Sequence, residues 1–195
     1  MFNLKLLSPA VFFVVLVLLS ACSQTKIETD DNFDVVELPD GSLAFLNHHS
    51  TLVYDEGFNP RKIELQGEAF LSIEKNETPF IVSMNLGEIT VTGTEFNVIS
   101  DPDKIEVEVE EGSVELKADH NNNRIKPGEK AHYKKAENEI RMSRAEFKFK
   151  IWLNDLHIEF KKLGKEIKHG SKQIEKESKE VGRELKKEMK KLKIK

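Results

Sequence analysis

Lys104-Ile105-Glu106-Val107-Glu108-Val109-Glu110 alternates apolar and charged residues without a break. A β-strand turns successive side chains to opposite faces. Ile105, Val107 and Val109 therefore share one face and the three glutamates the other. The glutamate row reads as a solvated sheet face that discourages edge-to-edge pairing. Gly112 then turns the chain into Ser113-Val114-Glu115-Leu116.

Short segments of the same kind recur on both sides. Upstream they fall at residues 35–38, 42–46, 51–54, 63–65, 69–73, 80–84, 88–91 and 95–99. Pro39-Asp40-Gly41, Gln66-Gly67 and Gly93 punctuate them as turns. Downstream, Pro127-Gly128 leads into Lys130-Ala131-His132-Tyr133. Strands at such regular spacing, with no helix-length segment between them, argue an all-β sandwich, barrel or solenoid and against βαβ units. Thr94, Phe96 and Val98 fall on one strand face, with Phe96 the expected core anchor.

The motifs in this region resemble those of the FecR domain. They are Leu38-Pro39-Asp40-Gly41-Ser42, Leu46-Asn47, Gly67-Glu68-Ala69-Phe70, Pro79-Phe80-Ile81-Val82, Val91-Thr92-Gly93-Thr94-Glu95-Phe96-Asn97-Val98, Glu111-Gly112-Ser113-Val114-Glu115-Leu116 and Ile125-Lys126-Pro127-Gly128-Glu129. The resemblance runs from Val36 to Tyr133. Its residues specify turns and core positions rather than reactive groups. In that family the best-known members hold the domain in the periplasm, behind a cytoplasmic anti-sigma segment and one transmembrane helix. A further module receives a signal from an outer-membrane TonB-dependent transporter. This sequence departs from that plan at both ends, so the resemblance implies a scaffold in the envelope rather than the usual anti-sigma role.

Residues 1–21 read as a signal peptide. Lys5 is followed by an apolar run, and Leu19-Ser20-Ala21-Cys22 resembles a lipobox. The resemblance implies cleavage before Cys22 and a diacylglycerol on its thiol. At about 0.8 kcal/mol per buried methylene, two or three acyl chains form a firm anchor. Cys22 is the only cysteine, so neither an internal disulfide nor a cysteine-based zinc site is possible. Ser23 after it points by resemblance to the outer membrane, facing the periplasm. Residues 22–33 are polar and read as a flexible tether.

Charge divides the chain. Residues 22–140 hold 11 basic and 25 acidic side chains, a net −14; residues 141–195 hold 18 and 9, a net +9. Residues 146–195 lack proline and read as a basic amphipathic helix. Its apolar stripe contains Trp152, Leu163, Ile174 and Leu185 at eleven-residue intervals. Leu156, Ile167 and Met189 form a second row, and Val181 and Leu192 a third. Such a helix could pack on its own β domain or a copy of it, lie on anionic lipid or lipopolysaccharide, or pair with a partner helix as a coiled coil.

No metal, phosphate-loop or nucleophile motif stands out. His120-Asn121-Asn122-Asn123 reads as a polar loop. No cofactor and no enzymatic role is expected, and the leader argues against a nucleic-acid partner. The expected chain is mainly β. A signal peptide (1–21) and tether (22–33) precede an antiparallel β-sandwich or β-solenoid-like domain (34–143), and a long C-terminal amphipathic α-helix (146–195) follows. Its site residues are Cys22 for lipid attachment and the helix stripe for partner contact or self-association.

Overall fold

The computed structural model describes residues 23–166, with side chains of the C-terminal helix described as far as His157. The strands are β1 (Gln24–Glu28), β2 (Asp34–Glu37), β3 (Leu43–Leu46), β4 (Thr51–Asp55), β5 (Arg61–Ser72), β6 (Phe80–Met84), β7 (Gly87–Val91), β8 (Glu95–Ser100), β9 (Lys104–Glu111), β10 (Val114–Ala118), β11 (Asn121–Ile125), β12 (Glu129–Lys134) and β13 (Glu139–Arg144). Among the described residues one helix follows, α1 (Phe149–Glu166). The fold is mainly β, as the alternation implies.

The strands form one 13-stranded sheet folded into a nearly closed, barrel-like shape. It is therefore neither two separate sandwiched sheets nor a solenoid. One half runs β1-β4-β5-β6-β7-β10-β11 and the other β2-β3-β5-β8-β9-β12-β13, with β5 common to both. Every pairing is antiparallel except β5–β6. The first part of β5 pairs with β4 and β6, and its second part with β3 and β8. The two stretches read as separate strands around Gln66-Gly67 are thus one strand with a corner. Gly67 stands at that corner with φ +91°, and a Cβ there would lie 2.5 Å from the Ser50 hydroxyl. Only glycine fits both demands.

Folding β5 back on itself brings its two ends together, and Arg61 fastens them. Its guanidinium donates to the Asp40 carboxylate at 2.6 and 2.8 Å, to the Thr78 carbonyl at 2.7 Å and to the Glu74 carbonyl at 3.0 Å. Arg61 is 6% exposed, so these partners substitute for water around a buried charge. The Ser42 hydroxyl donates to Asp40 and accepts from the Glu74 amide. The Pro39-Asp40-Gly41-Ser42 turn thereby becomes a structural clasp.

The core fills the space between the two halves. Phe96, Val98, Ile105, Val107, Val109 and Tyr133 from one half meet Leu52, Ile63, Phe80, Val82, Ile89 and Leu116 from the other. Three connections that cross between halves lie at one rim, at residues 92–94, 112–113 and 126–128; those at residues 29–33 and 47–50 cross at the other. Hairpins at residues 85–86, 101–103, 119–120 and 135–138 form the opposite rim. There the Tyr133 hydroxyl donates to the Asp119 carboxylate, tying β12 to the β10–β11 turn across the seam.

Two polar stretches depart from expectation. Residues 24–28, read as part of a tether, form β1 on the edge of β4, with Ile27 packed against the core. An edge strand needs only one inward apolar residue, because its hydrogen bonds are made by the backbone. Asn121-Asn122-Asn123, read as a loop, opens β11, held by its ladder to β10 rather than by propensity.

Candidate functional site

The start of α1 and the residues just before it lie against the outer face of β3, β5 and β9. Ala145 and Phe149 bound a short reversal in which Phe147 takes φ +53°. A branch-free but bulky residue in that region costs on the order of 1–3 kcal/mol, so the surrounding contacts must hold it. They do so in two layers.

The first layer is apolar. Phe149, Leu153 and Leu156 are buried against Phe45 and Phe70, with Phe33, Val35, Leu43, Phe147 and Trp152 packed around them. Phe149 stacks on Phe70 at 5.1 Å and Trp152 on Phe33 at 5.9 Å. Burying a side chain of this size stabilises by about 1.5–3 kcal/mol. The buried helix positions follow the i, i+4, i+7 spacing of one helical face.

The second layer is a row of carboxylates. Glu68 accepts the Trp152 indole N–H at 3.0 Å and the Asn97 amide at 2.9 Å on one oxygen, and the Asn47 amide at 2.7 Å on the other. Glu108 accepts the Phe147 backbone N–H at 2.7 Å, just ahead of the helix N-terminus. Glu110 pairs with Lys150 at 2.6 Å, and that ammonium also lies 5.0 Å from the Phe147 ring centre. Glu106 faces Lys130 at 2.6 Å and Lys104 at 3.1 Å. Burial opposes its charged form, but hydrogen bonds and charge from both lysines outweigh it and hold the Glu106 carboxyl down at about 2. The Glu106 hydrogen bond correspondingly raises Lys104; for Lys130, burial is overcome by the same carboxylate.

This corrects the reading of Glu106, Glu108 and Glu110 as a solvated face. The helix and the lysines cover them, with Glu108 only 7% exposed. The negative row and the first basic residues of the C-terminal region attract each other within one chain. A cavity of about 290 Å³ remains beside the start of α1, between Asn97, Glu106, Lys130 and Phe149.

Of the sequence-derived site residues, Trp152 and Leu156 lie in this contact. Leu163 falls within α1, where only the backbone is described. Cys22, Ile167, Ile174, Val181, Leu185, Met189 and Leu192 lie outside the described residues. The eleven-residue reading passed over Phe149 and Leu153, which the ordinary helical period would have included. Glu68 and Asn97 carried no sequence signal beyond their place in the motifs. Among the described residues, no group of His, Cys, Asp or Glu is placed to hold a metal, and no helix is long and apolar enough to cross a membrane.

A folded-over β barrel with a helix clasped on one face defines a small, mainly β module. The family model described as FecR protein matches residues 25–115, so this part of the chain is similar to the FecR domain. The match starts inside β1 and stops in β10; β11–β13 and α1 lie beyond it. Two crystal structures, described as those of a candidate anti-sigma factor from Parabacteroides distasonis ATCC 8503, are similar. The one at 2.50 Å has a TM-score of 0.60 and 28% identity, covering 63% of this chain and 60% of that one. The one at 1.65 Å has a TM-score of 0.63 and 29% identity, covering 66% and 64%. The match thus spans less than two thirds of those proteins. No curated protein matches the chain.

Proposed function

We propose that this chain is a lipid-anchored envelope protein whose FecR domain is a periplasm-facing binding or signalling scaffold. The observation that carries this reading is the carboxylate-lined face of the domain, which already receives a helix through matched apolar and charged contacts. Similarity to a candidate anti-sigma factor supports a signalling role, and the lipobox supports the address. No chemical step is assigned to the domain. The test is cross-linking in intact envelopes followed by identification of what is joined to the chain. A defined protein partner, or a second copy, is expected for wild type and is lost from the membrane fraction with Cys22→Ser. A solitary monomer throughout rejects the reading.

Ile151 favours a second reading, contact of the helix with anionic lipid or lipopolysaccharide. It is 68% exposed at the start of α1, next to exposed Lys148. Flotation with anionic vesicles tests it. Reversing Lys186, Lys187, Lys190 and Lys191 to Glu should abolish binding, and unchanged flotation rejects it.

A further inference from the structure

We infer that the barrel stands on the membrane by one rim, with the loop at residues 56–60 against the headgroups and the opposite rim turned to the periplasm. This rests on the proposed acylation of Cys22. A flexible tether of about ten residues would let a domain wander roughly 17 Å from its anchor. Here the ordered chain begins almost at once. The Ser23 carbonyl accepts the Glu56 backbone N–H at 2.9 Å, and the Gln24 amide donates to Asp55 at 3.1 Å. β1 starts at Gln24 and is laddered to β4 over its whole length. Two Cα steps, at most about 7 Å, separate the proposed lipid-bearing residue from the sheet.

The register fixes which rim this is. Gln24 lies opposite Asp55, and Tyr54 opposite Ile63. Arg61, Phe80 and Val91 continue the same level across β5, β6 and β7. The anchor therefore meets the rim that carries residues 56–60, 92–94, 112–113 and 126–128. The β10–β11 turn at Asp119 and His120 lies at the far end, a strand length of about 17–20 Å away. Asp55 and Glu56 make this rim unattractive to an anionic surface, so its seating is imposed by the acyl chains and not by its own charge. Any partner arriving from the periplasm then meets the hairpin rim first.

The full-length, acylated protein is to be reconstituted in phosphatidylcholine vesicles carrying a headgroup nitroxide. A fluorophore is placed by Gly57→Cys or by His120→Cys. Cys22 is consumed by the lipid, leaving each introduced thiol unique. A side chain at Gly57 meets nothing within 4 Å, so that variant keeps the fold. Quenching at position 57 should exceed that at 120 by at least roughly threefold, given the distance between rims. A spacer of about twelve Gly and Ser residues after Cys22, reaching about 17–21 Å, should remove the difference. Equal quenching in protein whose intact mass shows the acyl chains overturns the orientation alone. A mass without acyl chains overturns the anchor beneath it, and the orientation with it.

Discussion

The carboxylate of Glu68 accepts the indole N–H of Trp152 at 3.0 Å, joining the corner strand of the barrel to a helix 84 positions later. Trp152 is the only tryptophan, so its fluorescence reports directly on this clasp. Glu68→Leu removes the acceptor for three side-chain donors and should cost about 2–3 kcal/mol. Its emission should shift to the red and become more quenchable by iodide, while far-ultraviolet circular dichroism keeps the β signature. An unshifted emission would show that the apolar layer alone holds the helix.

The Glu106 cluster makes stability sensitive to acid. Its carboxyl titrates at about 2 in the folded state against an ordinary 4.5. A folded value below the unfolded one stabilises fully above about 4.5 and loses that contribution as pH falls towards 2. Linkage sets a ceiling of about 3 kcal/mol, which partial solvent access reduces to about 1–2. Urea unfolding at neutral pH and in steps down to pH 3 should show this loss. Glu106→Gln should be less stable at neutral pH and show a shallower acid slope; a slope identical to wild type would remove Glu106 as its source.

Alternation made the core strands legible: Phe96, Val98, Ile105, Val107 and Val109 point inward as their spacing requires. The same alternation placed Glu106, Glu108 and Glu110 on the outer face but could not show what covers it. That cover comes from a helix far along the chain, whose docking is written in no local pattern. β1 and β11 escaped notice because edge strands owe their form to backbone pairing and tolerate polar side chains. Gln66-Gly67 read as a turn because a strand corner and a tight turn ask for the same glycine. The proposed lipid attachment at Cys22 rests on its lipobox alone, and much of the helix stripe lies beyond the described residues.

Arg61 and Asp40 form the clasp that keeps β5 folded over. Their side chains are 8% and 12% exposed. Removing one member of such a pair leaves a buried charge uncompensated and typically costs about 3–5 kcal/mol. Arg61→Ala also frees the Thr78 and Glu74 carbonyls, so it should be the harsher change, with Asp40→Ala next. The double variant should cost clearly less than the two single losses together, because each single change already breaks the shared bond. Strict additivity in denaturant unfolding would mean that the pair does not act as a unit.

Tyr133 closes the seam between the two ends of the sheet. Its ring lies in the core while its hydroxyl donates to Asp119, whose carboxylate holds the phenol above its ordinary range. β11 ladders only to β10, and the bond from the Asn121 amide to the Asn138 carbonyl at 3.2 Å is a second tie across this gap. Tyr133→Phe keeps the ring and removes the tie, and should cost about 1–2 kcal/mol. The loss should be local: amide exchange should quicken in β11 and the β12–β13 turn, while β8 and β9 keep wild-type protection. Uniform acceleration across the sheet would instead mean that the hydroxyl supports the barrel as a whole and that the seam does not open by itself.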